Sequence, residues 1–243
     1  DSCLTIIGLK HARIIAAIII AITISLIQLS TFFILHYSFY FFPKNILTYF
    51  VFIITIVLFI FFLNFFRSPN RVYSGVALGR VNAPTDGKVV ALEKVFEKEH
   101  LNTECVKISI FMTIFNAHSN WIPVTGKITH VSHKEGRFLA AHLPKSSTEN
   151  ERSMIVIETP DGHKILTSQI AGALARRIVT YVKADQICYI GDPLGFIKFG
   201  SRMDIYLPVD SEVLVKIGDQ VRANRTFIAN LPDNKKQKDS ITL

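Results

Sequence analysis

One peptide bond in this chain is placed to be attacked from within. Of the twelve glycines, only Gly200 is followed by a serine, and the hydroxyl of Ser201 lies within reach of the carbonyl that precedes it. A serine hydroxyl is a weak nucleophile until a base takes its proton, so the bond breaks only where the fold holds it rigidly beside one. The run Gly195-Phe-Ile-Lys-Phe-Gly-Ser-Arg-Met-Asp-Ile-Tyr-Leu-Pro208 is apolar on both sides of that bond and predicts two buried strands joined by a tight turn. Gly-Ser pairs also make ordinary turns. The dipeptide alone leaves both readings open, and its surroundings decide.

The elements that would position the bond fall into two unlike parts. Residues 14–35 and 46–63 contain no charged side chain, and a helix needs about 20 mostly apolar residues to cross a bilayer. Both stretches read as membrane spans, at about 14–35 and 46–66, giving a membrane anchor over residues 1–66 and one catalytic domain over 67–243. Lys10 and Arg13 precede the first span, Arg67, Arg71 and Arg80 follow the second, and the connection carries only Lys44. The positive-inside rule then places both ends, and the domain, on the cytoplasmic side of the membrane. Cys3, Cys105 and Cys188 are scattered and odd in number, which suits a reducing compartment. The net charge of +8 favours an anionic membrane as partner over nucleic acid once two spans are attached.

Within the domain, short alternating or apolar runs predict strands at Lys88 to Val95, Val106 to Met112, Met154 to Glu158, Ile165 to Ile170, Met203 to Leu207 and Glu212 to Ile217. One short helix is expected around Ala171 to Arg177. The fold class is therefore α+β, mainly antiparallel β, behind an N-terminal helical hairpin. Two turn segments, Ala83-Pro-Thr-Asp-Gly-Lys-Val and Gly218-Asp-Gln-Val-Arg, resemble the matched halves of barrel-sandwich biotinyl or lipoyl carriers. Neither presents a Met-Lys-Met tip for attachment of such a group.

Five motifs occur in order: Phe66-Arg67-Ser68-Pro69-Asn70-Arg71 with Ala83-Pro84-Thr85-Asp86-Gly87-Lys88; Phe115-Asn116-Ala117-His118-Ser119-Asn120; Lys145-Ser146-Ser147-Thr148-Glu149-Asn150-Glu151-Arg152; Gln169-Ile170-Ala171-Gly172 with Ala175-Arg176-Arg177; and Phe199-Gly200-Ser201-Arg202. Together they resemble the phosphatidylserine decarboxylase family in its short, pyruvoyl-dependent form. The resemblance implies a proenzyme that cuts itself between Gly200 and Ser201 into a large β and a small α chain, which stay together as a heterodimer; a homo-oligomer is left open. The Ser201 hydroxyl would attack the Gly200 carbonyl to give an ester, and elimination would free the upstream chain. The residual dehydroalanine would then lose ammonia, leaving a covalent pyruvoyl group at residue 201. Asp86 and His118 are the matching positions for the activating acid and base.

The resemblance further implies that the pyruvoyl carbonyl forms a Schiff base with the amine of phosphatidylserine and accepts the electrons released as carbon dioxide departs. Hydrolysis then yields phosphatidylethanolamine, with His118 delivering the proton. Asn116 stands where the family commonly has Asp, and Trp121 where it has Arg. Lys145, Arg152, Arg176, Arg177 and Arg202 are the cations available to a phosphodiester or carboxylate. His130, His133 and His142 lack the partners of a zinc site, and no metal is expected. The rival readings are a noncatalytic membrane-tethered barrel-sandwich adaptor of an export assembly, which has no use for Gly200-Ser201, and a pyruvoyl enzyme for a soluble amino acid, which has no use for the anchor.

Overall fold

The computed structural model describes residues 26–34, 36–37, 46–71, 73, 79–136, 149–172, 177–197 and 201–233. It divides into two compact units, Asp1–Phe59 and Ile60–Leu243. In the first, residues 26–34 and 36–37 are helical; the rest of the expected first span lies outside the described residues. The helix Ile46–Phe65 has 20 residues and a mean hydropathy of 3.0 in its most apolar window. Among the described residues it is the one helix long and apolar enough to cross a bilayer. Its composition suits lipid, because its polar Thr55 is satisfied internally by bonding the Val51 carbonyl at 2.9 Å.

The second unit is mainly antiparallel β. Its strands are β1 (Arg80–Asn82), β2 (Gly87–Glu97), β3 (Thr103–Met112), β4 (Ser119–Trp121), β5 (Gly126–Lys134), β6 (Arg152–Glu158) and β7 (Lys164–Ala171). Then follow β8 (Ile178–Thr180), β9 (Ile187–Cys188), β10 (Pro193–Ile197), β11 (Ser201–Pro208), β12 (Glu212–Val213), β13 (Gln220–Val221) and β14 (Phe227–Asn230). One sheet of eight runs β13-β2-β3-β11-β7-β6-β5-β9, and two sheets of three run β1-β14-β12 and β4-β10-β8. Ile108, Ile110, Met112, Ile155, Ile157, Ile165, Met203, Ile205 and Leu207 alternate onto one face of the large sheet and make the main core. Met154, Val156 and Leu166 point the other way into a smaller cluster.

The strands on either side of the Gly200-Ser201 bond are buried, as their apolar runs predict, but they belong to different sheets. β10 pairs with β4 and β8, whereas β11 pairs with β3 and β7. The two carrier-like turns meet each other, Gln220 and Val221 pairing with Lys88 and Gly87. Two expectations are corrected. The Glu212 to Ile217 strand ends at Val213, because the turn closed by Lys216 and Asp219 interrupts it, with both the Asp219 carboxylate and the Lys216 carbonyl engaged and Gly218 at φ 102. Ala171 is not the start of a helix but the last residue of β7, paired with Ser201; residues 173–176 lie outside the described ones. The nine residues of β5 escaped the strand reading because its pattern buries little beyond Gly126 and Ile128, leaving polar side chains in water.

Gly87 opens β2 where backbone approaches backbone, and a Cβ there would sit 2.4 Å from the Phe111 carbonyl oxygen. Gly87→Ala should therefore cost about 1–3 kcal/mol through overpacking, read as a lowered denaturant midpoint of the full chain in detergent.

Candidate active site

Ser201 opens the central strand of the large sheet. It is fully buried and paired with Met112 on one side and Ala171 on the other. Alternation along β11 sends its side chain to the core face with Met203 and Ile205 and sends Arg202 to the opposite face. The Ser201 hydroxyl meets the Met112 sulfur at 3.6 Å. The Thr85 hydroxyl donates to the same sulfur, so the turn Pro84–Asp86 and residue 201 converge on one thioether. Gly200, the other half of the expected cleavage site, lies outside the described residues.

His118 is fully buried. Its ring lies 4.3 Å from the Phe65 ring and 6.4 Å from that of Phe196, centroid to centroid. Its Nδ1 is 3.0 Å from the Asn116 carbonyl oxygen. A carbonyl only accepts, so Nδ1 carries the proton and Nε2 the lone pair, which is the tautomer a general base needs. Burial pushes the imidazole pKa down to about 4; the Asn116 bond opposes this and the nearby Arg67 charge adds to it. The loop that presents Asn116 is closed by its own side chain, whose Oδ1 accepts from the Thr113 N–H at 2.9 Å and the Thr113 hydroxyl at 2.7 Å. Arg67 braces the same loop, donating to the Phe115 carbonyl at 2.8 Å.

Asp86, 7 % exposed, is gripped from two sides. Arg71 forms a two-pronged ion pair with its carboxylate, one prong to Oδ1 and the other to Oδ2 at 2.7 Å. The Ala223 N–H donates to Oδ1 at 3.0 Å. The Arg71 guanidinium also lies 5.7 Å from the Trp121 ring centroid, and the Trp121 N–H binds the Pro84 carbonyl at 2.9 Å. Trp121, the departure from the family pattern, thus props the cation that holds Asp86.

A chain of buried amides and hydroxyls leads to the Thr85 hydroxyl and the Met112 sulfur. Ser153 and Thr180 share a bond of 2.7 Å, Thr180 donates to Gln169 Oε1 at 3.0 Å, and Gln169 Nε2 donates to Asn120 Oδ1 at 2.9 Å. Asn120 Nδ2 in turn faces Thr85 Oγ1 at 3.3 Å and the Met112 sulfur at 3.9 Å. Asn120 also lines a cavity of about 290 Å³ with Phe66, Ser119, Trp121, Tyr181 and Phe196. Sequence reading quoted Arg71, Asn120 and Gln169 within motifs but gave them no task. A polar Gln169 inside the otherwise core-facing row of β7 was the available signal, and Met112 gave none.

Of the five available cations, the three described, Arg152, Arg177 and Arg202, do not line this cavity. Arg202 is buried across the sheet, bonded to Asp204 at 2.6 Å and Ser109 at 2.7 Å. Arg152 pairs with Glu99 at 2.9 Å and lines a different cavity with Lys107 and Tyr206. Arg177 is exposed, and Lys145 and Arg176 lie outside the described residues. His133 pairs with Glu151 at 3.4 Å and His130 stacks near His100 at 4.8 Å. Arg71→Ala would leave Asp86 charged, shielded from water and short of its cation. It should destabilise the fold by about 3 kcal/mol and slow any cleavage at residue 201, with Arg71→Lys restoring only part of both; denaturant midpoints and denaturing gels read the two effects.

The family model for phosphatidylserine decarboxylase matches residues 58–229. A phosphatidylserine decarboxylase proenzyme of Porphyromonas gingivalis is 55% identical over 196 residues, covering 80% of this chain and 89% of that one. One of Parabacteroides distasonis is 55% identical over 188 residues, covering 77% and 86%, and one of Syntrophus aciditrophicus is 42% identical over 162 residues, covering 67% and 76%. This chain belongs to the phosphatidylserine decarboxylase family.

Proposed function

We infer that the chain is a membrane-associated lyase that decarboxylates phosphatidylserine to phosphatidylethanolamine and carbon dioxide. The observation that carries the reading is the placement of Ser201, a fully buried hydroxyl at the head of a strand held on both edges, in a fold whose buried histidine is neutral. The proposed domains are an anchor over residues 1–66 and a catalytic domain over 67–243 on the cytoplasmic face of an inner membrane. Cleavage between Gly200 and Ser201 would leave the two fragments as a heterodimer, knit by the strand pairing of β11.

His118, unprotonated at Nε2, is proposed to take the Ser201 proton as the hydroxyl attacks the Gly200 carbonyl. Asp86 acts as a fixed charge at the turn that brings Thr85 to the same sulfur, rather than as a mobile acid, because Arg71 and the Ala223 N–H occupy its carboxylate. A pyruvoyl group at residue 201 fits what surrounds it: the Met112 thioether, the Thr85 hydroxyl and the Asn120 amide are neutral and able to lie against a keto group without reacting. That group supplies the electron-accepting carbonyl for decarboxylation. The protein's own part is to position the lipid amine there, keep water out with Phe65 and Phe196, and return a proton from His118.

The purified chain in mixed micelles should release carbon dioxide from phosphatidylserine, and Ser201→Ala should remain a single uncut chain that releases none. A wild-type chain that self-processes without decarboxylating phosphatidylserine would refute the substrate. The pH dependence has a definite sign. His118 has a folded pKa of about 4, below its ordinary 6.5, so on acidification the unfolded chain binds this proton first. Its contribution to stability is lost as pH falls through that window. Self-cleavage should accordingly be level from pH 8 down to about pH 5 and fail near the lower pKa, measured as band intensity over time on denaturing gels.

A further inference from the structure

We propose that the Asn120 side-chain amide receives the substrate's carboxylate, beside the cavity that Asn120 helps to line, and that Gln169 sets its direction; this rests on the decarboxylase reading above. The direction follows from bond chemistry. The Thr180 hydroxyl, itself bonded to Ser153, donates to Gln169 Oε1. Only the Gln169 amino end is then left to face Asn120, and it holds Asn120 Oδ1 at 2.9 Å. Asn120 thus turns its N–H groups toward Thr85 and Met112, whose sulfur the Ser201 hydroxyl also meets. Their acceptors there are distant, Thr85 Oγ1 at 3.3 Å and a sulfur at 3.9 Å, so a carboxylate oxygen would be the better acceptor. A Cβ on Gly195 would sit 2.7 Å from Gln169 Nε2, so that glycine makes room for the arrangement.

Position selects the carboxylate over the phosphate. The substrate amine has to reach residue 201, and the carboxylate is carried on the carbon next to that amine, whereas the phosphodiester lies farther along the headgroup. Asn120 Nδ2 and Ser201 Oγ lie 3.9 and 3.6 Å from the same Met112 sulfur, so the amide and residue 201 flank one side chain. Among the described residues that line the cavity of about 290 Å³ none is charged, and Phe66, Trp121, Tyr181 and Phe196 make its walls. A cation there would hold the carboxylate's charge most strongly before reaction and so resist its loss. A neutral donor among aromatic walls orients the group, strips its water and loses little as the charge leaves it. Once carbon dioxide has departed the Asn120 amide has no such acceptor, so the product is held less tightly than the substrate.

The test uses the full chain in detergent, taking the self-cleaved fraction of Asn120→Ala and Gln169→Glu. A glutamate at residue 169 can only accept, so it turns the Asn120 amide around and presents Oδ1 to the substrate. Asn120→Ala should raise KM for phosphatidylserine about ten- to hundredfold, the loss of one charge-assisted hydrogen bond. Competition by phosphatidylethanolamine, which lacks the carboxylate, should change less than about twofold. Gln169→Glu should show the same split. Unchanged KM in processed Asn120→Ala, or a parallel loss of affinity for both lipids, overturns the proposal. If Asn120→Ala fails to self-cleave, Gln169→Glu decides on the same readouts, and failure of both to process overturns it in favour of a role in cleavage. A wild-type chain inactive on phosphatidylserine refutes the decarboxylase reading itself, a different result from any of these.

Discussion

The site depends on β11 being paired along both edges. Because β3 and β7 bind it from Ser201 through Tyr206, the backbone at residue 201 cannot slide or rotate without breaking ladder bonds inside a dry core. A strand has a side-chain period of two, so fixing the register also fixes which side chain enters the core. Ser201 goes in beside Met112, and Arg202 goes to the far side. A register slip of one residue would bury a guanidinium where the hydroxyl belongs.

Charge is sorted by the same alternation. The far face carries ion pairs in contact with one another's neighbours, Arg202 with Asp204 and Arg152 with Glu99. The core face around Ser201 carries hydroxyls, amides and a thioether. Asp86 is the buried anion on this side, and it is matched by Arg71 and a backbone N–H rather than left to shift its neighbours. His118 is kept uncharged by burial under Phe65 and Phe196 and by a partner that fixes its tautomer without giving it charge. A site that must first remove a proton from a hydroxyl and later let a carboxylate lose its charge is served in both steps by low polarity and fixed donors.

Much of the fold was readable because burial imprints a period on sequence. The long strands β2, β3, β6, β7 and β11 alternate or run apolar, and each was expected within a few residues. Strands with little to bury left no such imprint: β5 exposes most of its side chains, and β8, β9 and β13 are too short for a period to show. The division of β10 and β11 between two sheets is a long-range pairing that local pattern does not encode. At the candidate site, Ser201, Asp86 and His118 are singled out by motif order. Their actual partners, Arg71, the Asn116 carbonyl and the Met112 sulfur, are contacts across the fold or backbone atoms, which residue type does not report. Of the cations available to a substrate, Arg152 and Arg202 occupy the parity of β6 and β11 that faces away from the core.

Whether the chain makes its own electrophile at residue 201 is read by intact mass spectrometry of the purified protein before and after borohydride treatment. Self-processing gives a fragment spanning residues 201–243 whose first residue has the mass of a pyruvoyl group and gains two hydrogens on reduction. A fragment beginning with an unmodified serine, or a chain that stays whole in its native lipid, would contradict it.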